Sequence, residues 1–405
     1  MGWSPKSVIK GARDTTNSFK KGANTFIQNT ADDINHYINH TLNCLGDIDQ
    51  IRIRMMERYI QYETIYVRSL IEAGIIPATL VRKIQDRILG AVDPPPEPIL
   101  FHLENPECVW TGEPPKMVEF DTSSRSPRTR VYPLIFVHGM QYARKKEDAY
   151  KFYEEFEKAT RLFKGERDPD SDEYDVYILS YDSDLTNETN LLIRRALEAE
   201  LATNVEDDSP LLYLAILWRE LVNRARYAGE KCLTPLFHSI FRLDEQKSKS
   251  GYIISHSLGN EAVAFAANKY YSGRENTYIP ICKSWWCMAA AIPADAFTNT
   301  GDYGVTPKIS NDTIVWFSRT DEVLSLLYPM GNTAPSGEPM LALGVTGALQ
   351  HQYPLTNLDV TLCTDITHEV GNGYFRKLSK NIRWRLGIDM WPGRLCELNI
   401  PSRRD

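Results

Sequence analysis

The chain has 405 residues, 42% of them hydrophobic and 24% charged, with 46 basic against 53 acidic side chains and a formal net charge of −7. That composition excludes a mostly disordered or low-complexity chain, because there is enough apolar surface to offset chain entropy. The acidic balance argues against a whole-surface nucleic-acid binder, and no run reaches the roughly 18 apolar residues of a membrane-spanning helix. Residues 1–93 read as a helical accessory region. Ile9, Ala12, Phe19, Ala23, Phe26 and Ile34 fall on one helix face, and Ile51, Met55, Tyr59, Tyr62, Tyr66 and Leu70 form a second stripe. Within the first helix Lys6, Lys10, Arg13, Lys20 and Lys21 stand against one acid, Asp14. A basic amphipathic helix of this kind packs on its own domain, docks a protein partner, or lies peripherally on an anionic membrane. Its apolar face is thin. The start lacks the apolar stretch of a secretory signal, and Lys6 breaks the myristoylation pattern that Gly2 begins. The expectation is a protein that is cytoplasmic as synthesised, with export by a machine needing no cleaved signal left open.

Residues 94–130 read as a Pro-rich linker and edge strands. Pro94, Pro95 and Pro96 cannot continue a helix, and Ile99 to Leu103 and Met117 to Phe120 are short apolar runs that suit a sheet edge. From residue 131 to 405 short apolar runs alternate with helical stretches. Strands are expected at Val131 to Val137, Tyr174 to Tyr181, Gly251 to Ile254, Trp285 to Ala291, Thr313 to Ser318 and Leu358 to Cys363. Helices are expected at Ala149 to Phe163, Leu191 to about Leu243 and Tyr374 to Leu386. This alternation predicts an α/β fold with a mainly parallel sheet covered by helices. The seven cysteines, at 44, 108, 232, 282, 287, 363 and 396, show no CxxC spacing. Buried free thiols are expected, with neither a disulfide framework nor a structural zinc site.

Gly251-Tyr-Ile-Ile-Ser255-His-Ser257-Leu-Gly259 runs from a strand through Ser-x-Ser-x-Gly into an alanine-rich helix. A sharp strand-to-helix turn demands small residues two before and two after the nucleophile, and Ser255 and Gly259 fill those places. The turn lifts the Ser257 hydroxyl above the sheet at a helix N-terminus, with the Leu258 amide facing developing negative charge. Asp321 follows the strand Thr313 to Ser318, where an acid can orient a histidine. It also suits a helix N-cap, and Asp295 is the reserve acid. His368 lies on the loop after the last predicted strand and can reach the serine as general base. His351 precedes that strand and competes less well. His138 precedes the nucleophile and more readily shapes its own loop. His256, next to the serine, packs or lines the pocket.

On the segments FVHGM, SHSLGNEAV, SRTDE and ITHEVGNGYF the region from Val131 to Leu386 resembles the α/β-hydrolase superfamily of serine esterases and lipases. Within it the chain is similar to bacterial serine hydrolases in which a strand ending near AAAIPADAF precedes a Ser-x-x-Asp turn and a Gly-containing apolar loop. The order Ser257, Asp321, His368 matches that superfamily's triad. The resemblance implies acyl transfer through an acyl-serine, with the Met140 and Leu258 amides as the oxyanion hole and no metal or organic cofactor. The implied substrate is a carboxylic ester, of lipid type if the apolar segment Leu326 to Pro354 lines the site. That segment reads equally well as a partly helical core element around Ala342 to Leu349. One implied context is a bacterial lipase effector delivered by a type VI secretion system. Amide or thioester cleavage uses the same machinery. A non-catalytic interaction protein on the same scaffold is the rival reading, because Ser255 stands where the elbow usually has glycine.

Overall fold

The computed structural model describes residues 95–123, 132–140, 142, 144–165, 174–183, 210–241, 251–272, 280–332, 340–349, 353, 355–364 and 367–396. The helical region expected at 1–93 and the competitor His351 lie outside them. Eight strands form one sheet: β1 Ile99–Leu103, β2 Met117–Glu119, β3 Tyr132–Val137, β4 Tyr174–Ser180, β5 Tyr252–His256, β6 Cys282–Met288, β7 Ser310–Phe317 and β8 Leu355–Asp359. Their spatial order is β2-β1-β4-β3-β5-β6-β7-β8. Strands β4 to β8 and β3 run parallel, while β1 is antiparallel to both β2 and β4. The sheet thus takes in the edge strands expected at Ile99 to Leu103 and Met117 to Phe120, with the whole of β1 paired to Val176 through Ser180 of β4.

The centre of the sheet forms because its strands are apolar on both faces. Every residue of β4 and β5 is buried, as is β3 from Pro133 onward, which is the pattern of parallel strands covered on two sides. Helix α1, Lys146–Thr160, turns Ala149, Phe152, Tyr153 and Phe156 inward at helical spacing. Three of those rings meet Phe136 of β3 edge-on. Helix α2, Pro210–Ala228, continues through a π-helical turn at Gly229–Leu233 into Thr234–Phe241. It packs on α3, Gly259–Tyr271. Gly229 sits at the crossing, where a Cβ would lie 2.3 Å from the Ala262 carbonyl oxygen. Helices α4, Glu322–Gly331, and α5, Ser379–Arg385, follow β7 and the last loop. Among the described residues no helix is long and apolar enough to cross a membrane.

Three expectations need correction. The last strand is Leu355–Asp359 rather than Leu358 to Cys363. Asp359 ends it by accepting from the Thr361 amide and hydroxyl, which starts a helical turn at Thr361–Thr364. The expected helix Tyr374 to Leu386 is instead a π-helical turn, Val370–Phe375, followed by α5. Gly371 and Gly373 lie within that turn, where glycine weakens a regular helix. Most directly, Cys363 and Cys396 form a disulfide. Cys108, Cys232, Cys282 and Cys287 are buried free thiols as expected. A pair 33 residues apart leaves no local spacing signal. Closing that loop is worth about 3–4 kcal/mol in the chain-entropy account. Cys396→Ser should therefore lower the urea unfolding free energy by that order under oxidising conditions, and added dithiothreitol should lower only the wild type. Equal stability of the two proteins without reductant would contradict the cross-link.

Candidate active site

Parallel strands bring their C-terminal ends to one edge, and ligand sites of open α/β sheets lie there. The loop after β3, the turn after β5, the turn after β7 and the loop after the helical turn that follows β8 all open on this edge. They carry His138 to Met140, Ser257, Asp321 and His368, four segments far apart in sequence.

Ser257 occupies the left-handed region, φ 51°, a conformation that a non-glycine residue adopts at a cost of order 1–3 kcal/mol. The surroundings hold it there. Its amide donates to the Met288 carbonyl of β6, and its carbonyl accepts from the Ala291 amide. The neighbouring positions show why they must be small. A Cβ on Gly259 would lie 2.4 Å from the Val137 oxygen, and one on Gly139 would lie 2.7 Å from Ser257 Cβ. Ser255 fits because its hydroxyl is useful as well as small. It donates to Asn260 Oδ1 and accepts from the Trp285 indole N–H, while Asn260 Nδ2 donates to the Ser257 and Met288 carbonyls. The departure from glycine thus braces the turn. Asn260 and Trp285 were not legible as site residues, since an amide at the second position of a helix and a tryptophan in a buried strand are common elsewhere.

The Ser257 hydroxyl lies 2.8 Å from His368 Nε2, and His368 Nδ1 lies 2.8 Å from Asp321 Oδ2. Asp321 is fully buried. Its other oxygen, Oδ1, accepts from the Leu324 amide as the N-cap of α4. Asp321 thus caps α4 with one oxygen and faces the His368 ring with the other, and the capping bond fixes the carboxylate that faces the imidazole. The reserve acid Asp295 is exposed on the turn after β6. With Nδ1–H donating to a carboxylate, Nε2 is left as an acceptor for the serine proton.

His138 is fully buried and stacked on Tyr181, ring centroids 4.5 Å apart. Its Nδ1–H donates to the Gly139 carbonyl, and Nε2 accepts from the Tyr181 amide. Ser183 completes the clamp by donating to the Gly139 carbonyl, a contact between distant loops that no local motif announces. Met140, held by this loop, reaches the site cavity. Burial lowers the His138 pKa to about 4 from 6.5. An imidazole so depressed gives its full stabilisation above pH 6.5 and loses it as the pH falls toward 4, because the unfolded chain takes up the proton first. The loss is about 3 kcal/mol over that interval. His138→Gln should flatten the fall in urea midpoint between neutral and acidic pH, and an unchanged slope would refute the assignment.

A cavity of about 610 Å³ lies beside His368. Its lining mixes apolar Met140, Val323 and Val370 with Asp148, Lys151 and Glu155. His256 borders it too, its ring centroid 4.9 Å from that of His368. Burial first, and the neighbouring His368 second, push His256 well below the usual histidine range, so it stays neutral. Of the segment Leu326 to Pro354, read either as an apolar lining or as a partly helical core element, no described residue lines this cavity. Leu343 and Gly344 donate to the Ile292 and Ala290 carbonyls, and Gly344 accepts from the Ser318 amide. Ala342 to Leu349 thus braces the chain behind the turns after β6 and β7. Among the described residues no cluster of three or more His, Cys, Asp or Glu side chains is placed to hold a metal ion. Comparison of the chain with protein-family models, with curated proteins and with solved structures returns no match.

Proposed function

We propose that the chain is a serine ester hydrolase of the α/β-hydrolase type, cleaving carboxylic esters of amphipathic, lipid-like character through an acyl-serine intermediate. The observation that carries this reading is the unbroken series Ser257 Oγ, His368 Nε2, His368 Nδ1, Asp321 Oδ2, with 2.8 Å at each hydrogen bond. Three side chains separated by 64 and 47 positions in sequence do not form such a line by local preference.

In the proposed reaction Ser257 Oγ attacks the ester carbonyl as its proton passes to His368 Nε2. Asp321 holds the imidazole in the tautomer that accepts and stabilises the cation that results. The carbonyl oxygen becomes an oxyanion held by the Leu258 amide, at the start of α3, and the Met140 amide. Each such donor is worth about 3–4 kcal/mol in the barrier. His368 then gives the proton to the leaving alkoxide, which departs as the alcohol. Water attacks the acyl-serine with His368 as base, and the acid leaves as Ser257 regains its proton. The mixed lining of the cavity, with Met140, Val323 and Val370 beside charged side chains, supports a substrate with both an apolar and a polar part.

A fluorophosphonate probe tests the reading directly. Expected is one covalent adduct on the peptide carrying Ser257, lost in Ser257→Ala and slowed in His368→Ala. A folded protein that takes no label, or takes it elsewhere, would sink the proposal and favour the non-catalytic interaction protein.

A further inference from the structure

The segment after the base loop builds a second, differently charged concavity. A groove of about 580 Å³ is lined by Arg376, Lys377, Lys380 and Arg394, with Pro392 and Cys396 beside them, and none of its described lining residues is a carboxylate. Asp389, the one acid between Arg376 and Cys396, is taken up by Arg383, whose guanidinium donates to both its oxygens. On a chain of net charge −7 this is a concentration of positive charge against the average. The same segment exposes its apolar side chains. Met390 is 93% exposed and Trp391 48%. Trp391 rests against Trp384 of α5 at 4.7 Å between ring centroids, and the Arg385 guanidinium lies 5.2 Å from the Trp384 ring.

Cations alone would suit any polyanion. Cations flanked by a protruding methionine and a tryptophan pair suit a surface that is anionic outside and apolar beneath. Tryptophan settles at the headgroup level of a bilayer, and each Lys or Arg near an anionic leaflet adds attraction. We propose that the groove and the Trp384–Met390–Trp391 ridge form a docking surface for an anionic phospholipid bilayer. This surface goes beyond the catalytic reading and stands without it.

Its position ties it to the candidate site. Within the π-helical turn Val370–Phe375, Val370 lines the cavity beside His368, while Asn372 lines the basic groove. Cys396, at the groove, is bonded to Cys363, just ahead of His368. Docking through this face holds the cavity close to lipid. The earlier expectation of membrane contact fell on residues 1–93.

The test is vesicle flotation with the full-length chain carrying Ser257→Ala, so that no lipid is consumed. Expected is flotation with phosphatidylcholine vesicles containing phosphatidylglycerol, none with phosphatidylcholine alone, and release at about 1 M salt, where charges are screened beyond about 3 Å. Arg376→Gln/Lys380→Gln/Arg394→Gln, all exposed side chains, should weaken binding about a hundredfold, at about fivefold per cation. Met390→Ser/Trp391→Ser should weaken it at least tenfold at unchanged charge. Equal binding by wild type and the charge variant, or equal binding to both vesicle types, would overturn the proposal. So would retention on a single-stranded oligonucleotide with no flotation. Both sets of substitutions, placed in the chain with Ser257 intact, should leave hydrolysis of p-nitrophenyl acetate unchanged. If that hydrolysis is absent throughout while flotation behaves as expected, the catalytic reading fails and the docking surface stands.

Discussion

Ser257→Ala is expected to lower kcat/KM on soluble p-nitrophenyl esters by about 10⁴-fold or more, with the urea midpoint nearly unchanged. The two expectations come from the same geometry. The hydroxyl makes its hydrogen bond to His368 Nε2, and alanine keeps the turn's main-chain bonds to Met288 and Ala291. Alanine also meets the same cost at φ 51° that serine does, so the strain cancels between the two proteins. A loss of 10⁴ is about 5.5 kcal/mol of transition-state stabilisation, far more than one exchanged hydrogen bond contributes to folding. Activity and stability should thus come apart in this variant. If Ser257→Ala retained activity within tenfold of wild type, the serine would not be the nucleophile. If it unfolded as readily as it lost activity, the kinetic result would carry no weight, and His368→Gln, whose side chain is 12% exposed, would decide.

Gly259→Ala should show the opposite separation, with folding lost before chemistry is reached. Helix propensity alone favours alanine over glycine at the first residue of α3 by up to about 1 kcal/mol. The packing overrules it. The added carbon would lie 2.4 Å from the Val137 oxygen, 2.5 Å from the His138 oxygen and 2.9 Å from the Val137 carbon. All three are main-chain atoms at the end of β3, so no rotamer change relieves the contact. Relief requires α3 and β3 to move apart, opening a layer that includes Leu258, Ala262 and Val263, all buried. Overpacking of a tight core costs typically 1–3 kcal/mol, and a contact with fixed backbone sits at or above the top of that range. The expected result is a urea unfolding free energy lower by about 3 kcal/mol or more, or failure to accumulate as soluble protein. A wild-type midpoint would mean that α3 does not approach β3 as closely as described.

The parts of the fold that read directly from sequence are those with one dominant force. PLIFV, YDVYILS and YIIS are buried on both faces, so hydropathy alone marks them as strands. The edge elements are harder. β8, Leu-Thr-Asn-Leu-Asp, has no buried residue among its five, and the more β-like Val360 to Cys363 drew the expected strand three residues too late. β7 begins at Ser310 rather than Thr313 because its first three residues, Ser-Asn-Asp, are polar and hydropathy passes over them. At the candidate site the three side chains Ser257, Asp321 and His368 were legible from strand context and order. Their support was not. Ser183 on Gly139 and Asn260 on Met288 are contacts across the fold, and no residue pattern near either partner encodes them. Asp321 was read as triad acid or helix cap because a sequence gives a residue one label at a time, whereas a carboxylate has two oxygens to aim.

The bond between Cys363 and Cys396 gives any sample of this protein a covalent history. Glutathione keeps such thiols apart in a bacterial or eukaryotic cytosol, while a periplasm or an oxidising lumen lets them join. Material purified from the two sources shares one amino-acid sequence and differs in whether the stretch leading into His368 is tethered to the tail. Preparation route is thus a structural variable, and specific activities compared between laboratories need the thiol count beside them.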